Sequence, residues 1–491
     1  MKFKYLLEFV VFSCGAIVMI FELAGSRVLG PYFGSSIFVW SSLIGIVLLS
    51  LSIGYYYGGQ EADKRASISR LSSIVFLSGI LILVMLVGKE YVLKFFLDFF
   101  VDIKYGVLFS VIVLFLPASI FLGMVTPFAF KLKLQNIEDS GKTAGSLYAM
   151  STFGSIFGTF LCGFYLIPTF GTNNILLFIS AVLILLSIMI GGKVYLKTKI
   201  FVLLWIVLVY FYLRYNSQVA NYLDFDTQYS RVFIYNYVDS KTGKDARVMG
   251  INNENHSSMF LDSDELVNEY TKYYSLIEHF TPGFRNVLMI GGAGYSFPKY
   301  FLQKYENAKI KVVEIDPKIT QLATKYFRLE PNKNLEIIHQ DGRVYLNKSQ
   351  EKFDAILGDA FTSKYSVPYQ LTTLQAVQKQ YDMLNDNGVV VLNIISGFQG
   401  PKSLFLQAEY STFKKVFPQV YLFQVREESE YNLQNAILVA LKSKEKVTLT
   451  NTDVKLQQLL NRYRTGTIEN SNNILTDDFA PVDNYIQKAL F

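Results

Sequence analysis

Hydrophobic residues are spread unevenly along this chain. Up to about residue 215 they form long uncharged runs, and beyond it they alternate with polar positions in short segments. A bilayer span needs about 20 apolar residues. Seven stretches are candidates: 5–23, 37–57, 71–87, 106–128, 147–167, 175–190 and 201–213, the last two short. The first has Lys2 and Lys4 ahead of it. No small-residue cleavage site follows and further spans do, so it reads as a retained helix and not a signal peptide. In the fifth, Gly145, Ser146, Ser151, Gly154, Ser155 and Gly158 recur at three- and four-residue spacing, which predicts close helix contact. Glu22 and Arg27 flank the end of the first span and are expected to form an interfacial ion pair.

After Arg214 the pattern changes. Segments beginning at Val232, Arg247 and Ser258 read as short strands of a small β-subdomain, and a helix is expected over 262–280. From Asn286 strands at 287–290, 311–315, 335–339, 353–357 and 389–394 alternate with helical segments. That alternation predicts a parallel, doubly wound α/β sheet. The expected organisation is a helical membrane domain over 1–215, a β-subdomain with a connecting helix over 222–284, and a Rossmann-like domain over 285–491.

Composition narrows the classes. With 51% hydrophobic residues the chain is too apolar for an ordinary soluble enzyme. A net charge of +6 without a basic run argues against a nucleic-acid partner. Cys14 and Cys162 lie far apart in apolar segments, and His256, His279 and His339 lack metal-ligand spacing, so neither a disulfide framework nor a metal is expected. The basic loops carry Lys64, Arg65 and Arg70, then Lys131, Lys133 and Lys142, then Lys193, Lys197 and Lys199. The positive-inside rule puts them in the cytoplasm, and seven full spans would then place the C-terminal domain outside. The ligand argued for below is made in the cytoplasm, which favours a cytoplasmic face.

The chemistry gathers around Asn286–Gly294, NVLMIGGAG. A buried strand runs into Gly291, Gly292, Ala293 and Gly294, and a helical pattern follows, a geometry that lets backbone approach a nucleotide-like ligand. In doubly wound sheets the informative residues follow each strand. Glu314, about 20 residues past the turn, could accept from both ribose hydroxyls. Asp316-Pro317 reads as a helix cap. Asp341-Gly342 could accept from an adenine amine, or Asp341 could be another cap. Asp359 follows the fourth strand and faces the reacting centre. Acids after three successive strands behind a glycine turn predict an adenosine-type ligand.

The strings VLMIGGAG, VVEIDPKI, HQDGRVYL, FDAILGDAF and VPYQLTT resemble the spermidine synthase family, aminopropyltransferases built on the S-adenosylmethionine-dependent methyltransferase fold. The resemblance runs from about Asp226 to the C-terminus. FELAGSRVLGPYFGSS, GSLYAMSTFGSIFGTFLCGFYLIP and LTDDFAPVDNY are similar to its membrane-fused branch. The resemblance implies that Gly291, Gly292 and Gly294 line the sulfonium portion, Glu314 binds ribose, and Asp341 with Gly342 binds adenine. It implies that Asp359 is general base toward the attacking amine, with Tyr270 and Tyr431 as active-site tyrosines. S-adenosylmethionine or its decarboxylated form would be the co-substrate, and an amine or S-adenosylmethionine itself the partner. Self-association as a homodimer is left open.

Two departures stand out. The acid that holds the aminopropyl amine in the family is replaced by Gly294 or Tyr295, and a second acid by Thr362, with Lys364 nearby. Alternatives to aminopropyl transfer are therefore methyl transfer, intramolecular cleavage or cyclisation of S-adenosylmethionine, and a nucleoside-binding transporter or sensor without turnover. The retained Asp359 favours an enzyme, and scarce charge within the spans disfavours an ion-coupled transporter.

Overall fold

A computed structural model describes residues 5–216, 222–252, 254–360, 367–464 and 473–490. It divides into two compact units, Met1–Arg231 and Val232–Phe491.

The first unit is helical: α1 (Leu6–Phe33), α2 (Ile37–Arg65), α3 (Ile68–Phe99), α4 (Ile103–Lys133), α5 (Ser140–Leu161), α6 (Ile167–Phe170), α7 (Thr172–Gly191) and α8 (Leu196–Asn216). A π-helical turn, Cys162–Leu166, joins α5 to α6. Among the described residues six helical segments are long and apolar enough to cross a bilayer, Ile137–Phe170 among them, and they overlap six of the expected spans. The seventh, 201–213, lies within α8. The small residues of α5 do what their spacing predicts. A Cβ on Gly154 would sit 2.0 Å from the Phe12 carbonyl oxygen, and one on Gly158 2.3 Å from that of Ala16, so α1 and α5 meet backbone to backbone. Both cysteines are buried and free.

Because the helices alternate in direction, the three basic loops gather at one end of this unit. There Lys131 pairs with Asp63 at 2.8 Å and Lys133 with Glu8 at 2.6 Å. Lys199 donates to Ser72 Oγ at 2.6 Å. A short strand, β1 (Tyr222–Asp226), and the residues after it lie at the opposite end. Asp226 accepts from the Thr172 amide at 3.0 Å, and Arg231 binds Asp224 and, at 3.2 Å, Glu90. Arg27 donates to the carbonyls of Thr227, at 3.0 Å, and Tyr229. The expected Glu22–Arg27 pair is absent among the described residues, because backbone acceptors take the guanidinium.

The second unit begins with an antiparallel meander, β2 (Arg231–Val238), β3 (Asp245–Ile251) and β4 (Glu254–Phe260). The helix expected over 262–280 starts later, at Glu269, and is broken by a 3-10 stretch, Tyr273–Leu276. Tertiary contacts override the acidic start. Asp264 is drawn away by Lys299 and Gln303, each at 2.8 Å, and by Arg328 at 3.1 Å, while Leu266 bridges to Met259.

The main sheet contains β5 (Asn286–Ile290), β6 (Lys309–Glu314), β7 (Leu335–His339), β8 (Phe353–Gly358), β9 (Leu384–Ser396), β10 (Gln419–Gln424) and β11 (Gln434–Leu441), in the order β10-β11-β9-β8-β5-β6-β7. β5 to β9 are parallel, as the alternation predicts. β11 is inserted antiparallel between β9 and β10, so the sheet is mostly rather than wholly parallel. Leu288, Ile356, Val390 and Leu438 sit in one buried cluster beneath helices, as strands covered on both faces require. Chain order reverses at β5, which lies between β6 and β8. A doubly wound sheet opens its ligand crevice there, beyond the strand C-termini.

Candidate active site

The turn after β5 is wedged between two strand tips. The Gly291 amide donates to Val313 O, and the Asp359 amide to Ile290 O, each at 2.9 Å. Gly291 has φ +97°, and a Cβ there would lie 2.5 Å from the Asp359 carbonyl oxygen. Only glycine satisfies both the dihedral and the approach. Ala293 and Tyr295 also take positive φ, at 42° and 54°, which is uncommon outside glycine. A Cβ on Gly292 would meet the Tyr295 ring at 2.7 Å. That ring is fully buried, and its hydroxyl lies 2.7 Å from Thr320 Oγ1.

Glu314, at the end of β6, is buried and turned toward this loop. Its Oε2 accepts from the Gly292 amide at 2.9 Å and the Ala293 amide at 3.3 Å, and its Oε1 from the Asp316 amide at 3.0 Å. Burial raises its pKa, and the three amides oppose that rise. Asp316 caps the helix Pro317–Tyr326 through the Lys318 amide at 2.9 Å. Asp341 caps the helix Gly342–Lys348 through the Val344 amide at 3.0 Å, the alternative role its sequence left open.

Asp359 stands at the tip of β8. Its Oδ2 accepts from the Tyr270 hydroxyl at 3.0 Å and its Oδ1 from the Asn393 side-chain amide at 3.1 Å. The Tyr274 hydroxyl donates to the Gly358 carbonyl at 3.3 Å. Burial pushes the Asp359 pKa up to about 6, against the lowering effect of Asn393, Tyr270 and Tyr274. His256, whose carbonyl also accepts from Tyr270 at 3.3 Å, is held down to about 4 by burial and stays neutral.

A cleft of 410 Å³ opens over Asp359, with Tyr270, Ala293, Asn393 and Asn435 on its wall. Glu269, Lys241 and Arg426 also line it, and Glu269 is neutralised by both cations. Sequence reasoning named Asp359 and Tyr270, and the structure brings them into contact. Glu314, Gly291, Gly292, Gly294, Asp341 and Gly342 build the adjoining strand tips but are not on the wall of this cleft. Tyr431 is exposed and packs near Gly400. Thr362 and Lys364 lie outside the described residues. Asn393 and Asn435 were missed. Their signal is a carboxamide next to an apolar run, VVVL before Asn393 and AILVAL after Asn435.

Residues 271–451 match the family model of the spermine/spermidine synthase domain. The second unit carries a spermine/spermidine synthase domain. A polyamine aminopropyltransferase of Vibrio vulnificus is 31% identical over 169 residues, 34% of this chain and 54% of the relative. A probable polyamine aminopropyl transferase of Bifidobacterium longum is 24% identical over 51% of this chain and 60% of its own length. The chain thus spans little more than half of these relatives. Polyamine aminopropyltransferase 1 of Streptomyces coelicolor is 23% identical over 431 residues, 82% of this chain and 77% of the relative, so that likeness extends into the helical unit.

Gly294, one of the two positions at which the resemblance puts the family's amine-holding acid, is crowded by side chains. A Cβ there would meet Ser257 Oγ at 2.7 Å and the Phe327 ring at 3.0 Å.

The raised pKa of Asp359 has a thermodynamic consequence. An acid whose folded pKa exceeds its usual 3.8 favours folding in its protonated form. That contribution is complete below about pH 4 and is lost as pH rises through about 6. Asp359→Asn should therefore become more stable than wild type as pH rises from about 4 to 7, by up to about 3 kcal/mol. Thermal melts across that range test this, and a stability difference independent of pH would contradict it.

Proposed function

We propose that the protein is a membrane-bound transferase acting on an adenosyl sulfonium, S-adenosylmethionine or its decarboxylated form. It moves an aminopropyl-type group to an amine and releases methylthioadenosine. One observation carries this reading. Asp359 is fixed at the tip of β8 beside the glycine turn, with both oxygens hydrogen-bonded and its pKa lifted toward neutrality.

The chemistry is a displacement at the carbon next to sulfur. The amine lone pair forms the C–N bond, the C–S bond breaks, and its electrons return to sulfur, giving a neutral thioether. The sulfonium is electrophile enough that the protein must chiefly orient the nucleophile and exclude water. An amine that has attacked carries an extra proton, and the Asp359 carboxylate is the group placed to accept it. Its pKa of about 6 leaves it ionised at neutral pH, yet basic enough to take part. Glu314 would hold the ribose side by keeping the turn in place, and Asp341 the adenine side.

A second reading is methyl transfer, or intramolecular cleavage of S-adenosylmethionine. It is favoured by the lack of an acid at Gly294 or Tyr295 to anchor an aminopropyl ammonium, with Gly294 crowded by Ser257 and Phe327.

The helical unit would seat the protein in the cell membrane. Supply of the adenosyl substrate places the cleft on the cytoplasmic face. The positive-inside rule pulls the other way, because β1 lies at the end of the helical unit opposite the basic loops. Cys14 and Cys162 are buried, so Lys444→Cys gives a single exposed thiol. An impermeant maleimide should label it only after the cells are permeabilised, and labelling of intact cells would overturn the cytoplasmic placement.

Purified protein should be incubated with each form of the sulfonium, with and without putrescine, and the products read by mass spectrometry. Methylthioadenosine with an aminopropylated amine is expected from wild type, and about 100-fold less or lower from Asp359→Asn. S-adenosylhomocysteine, or a lactone, would establish the second reading. Turnover by Asp359→Asn at the wild-type rate would remove the base assignment.

A further inference from the structure

Asp359 ends a chain of three side chains from three strands. Asn393 on β9 lies opposite Ile437 in the antiparallel register with β11, and Asn435 lies opposite Ile395. The two asparagines are therefore diagonal neighbours on one face of the sheet. Asn435 Nδ2 donates to Asn393 Oδ1 at 2.9 Å, and Asn393 Nδ2 donates to Asp359 Oδ1 at 3.1 Å. Asn393 is almost wholly buried, at 2% exposure.

A carboxamide has two ends of opposite polarity and nearly equal size. Nothing in the shape of Asn393 alone decides which end faces Asp359. Its oxygen would repel the carboxylate, and its N–H₂ group binds it. The carboxylate and Asn435 select one orientation together: Asn435 Nδ2 binds the Asn393 oxygen, and the N–H₂ group of Asn393 faces Asp359. Tyr270 supplies the donor on the other carboxylate oxygen from a separate element. The carboxylate plane is thus fixed from two sides.

We propose that Asn435 is a positioning residue, which acts through Asn393 to orient the carboxylate of Asp359 for proton acceptance. It enforces the donor polarity of an Asn435–Asn393–Asp359 relay. This rests on the proposed role of the cleft. The groups facing Asp359 are Tyr270 and Tyr274 from the helical segment, the neutral His256 from β4, and Asn393 from β9. The rim carries Asp239, Lys241, Glu254, Glu269 and Arg426. Lys241 and Arg426 pair with Glu269, and Asp239 is bonded to Thr242, so this rim stays the same in the variants below.

The test compares Asn435→Leu, which removes the donor, with Asn435→Gln, which retains one. Two readouts are taken on the full-length protein. The first needs no turnover. It is the pH at which the stability gap between each variant and its own Asp359→Asn double variant levels off, which the folded-state pKa of Asp359 sets. Loss of the ordered donor should move that pH upward by about half to one unit in Asn435→Leu, and Asn435→Gln should lie closer to wild type. The second readout is catalytic. Asn435→Leu should lower kcat about five- to fifty-fold, with KM for the sulfonium within about two-fold of wild type and the acidic limb of the rate profile displaced upward. A midpoint unchanged in Asn435→Leu overturns the relay, whatever its activity. A displaced midpoint in a protein that turns over none of the sulfonium substrates keeps the relay and refutes the proposed reaction instead.

Discussion

The second unit depends on one buried carboxylate. Glu314 gathers the amides of Gly292, Ala293 and Asp316, and so ties the turn after β5 to the tip of β6. Without an acceptor those donors would be buried and unpaired, at about 1–3 kcal/mol each. The same turn is pressed from the other side by Asp359, whose backbone touches Gly291 too closely for any side chain. Three strand tips are thereby locked in a fixed relation, and the Asp359 side chain inherits its position from that lock. The chemical reading of the cleft follows from a carboxylate that cannot wander, in a place where burial keeps it weakly acidic.

Much of this architecture was legible in the chain. Long apolar runs mark most of the first unit, and small residues in its fifth span bring α1 and α5 into backbone contact at Gly154 and Gly158. Glycines behind a buried strand, then acids after successive strands, located β5, β6, β7 and β8 and their tips. What stayed hidden has physical causes. The carboxylate of Glu314 and the cap at Asp341 obey local rules that do not say whether a side chain turns inward or toward a ligand. The stretch before Glu269 has a helix-like acidic start, but Lys299 and Arg328, remote in sequence, claim Asp264. The antiparallel insertion of β11 is a matter of topology that periodicity does not encode. Asn393 and Asn435 acquire meaning only when register places them side by side.

Charge in the cleft is arranged with restraint. Glu269 is compensated by Lys241 and Arg426, the histidine is neutral, and the asparagines contribute dipoles without net charge. Asp239 and Glu254 also line the cleft, and Asp359 is the carboxylate at the end of the amide relay. Side chains of Ser257 and Phe327 crowd the Gly294 position in the turn after β5.

Calorimetric titration of the full-length protein in detergent with S-adenosylmethionine and, separately, with its decarboxylated form tests the central claim most directly. Saturable binding of at least one form at one site per chain is predicted, weakened about ten-fold or more in Glu314→Ala as the turn loses its anchor. Absence of binding by both sulfonium compounds, or equal affinity in wild type and variant, would contradict the account.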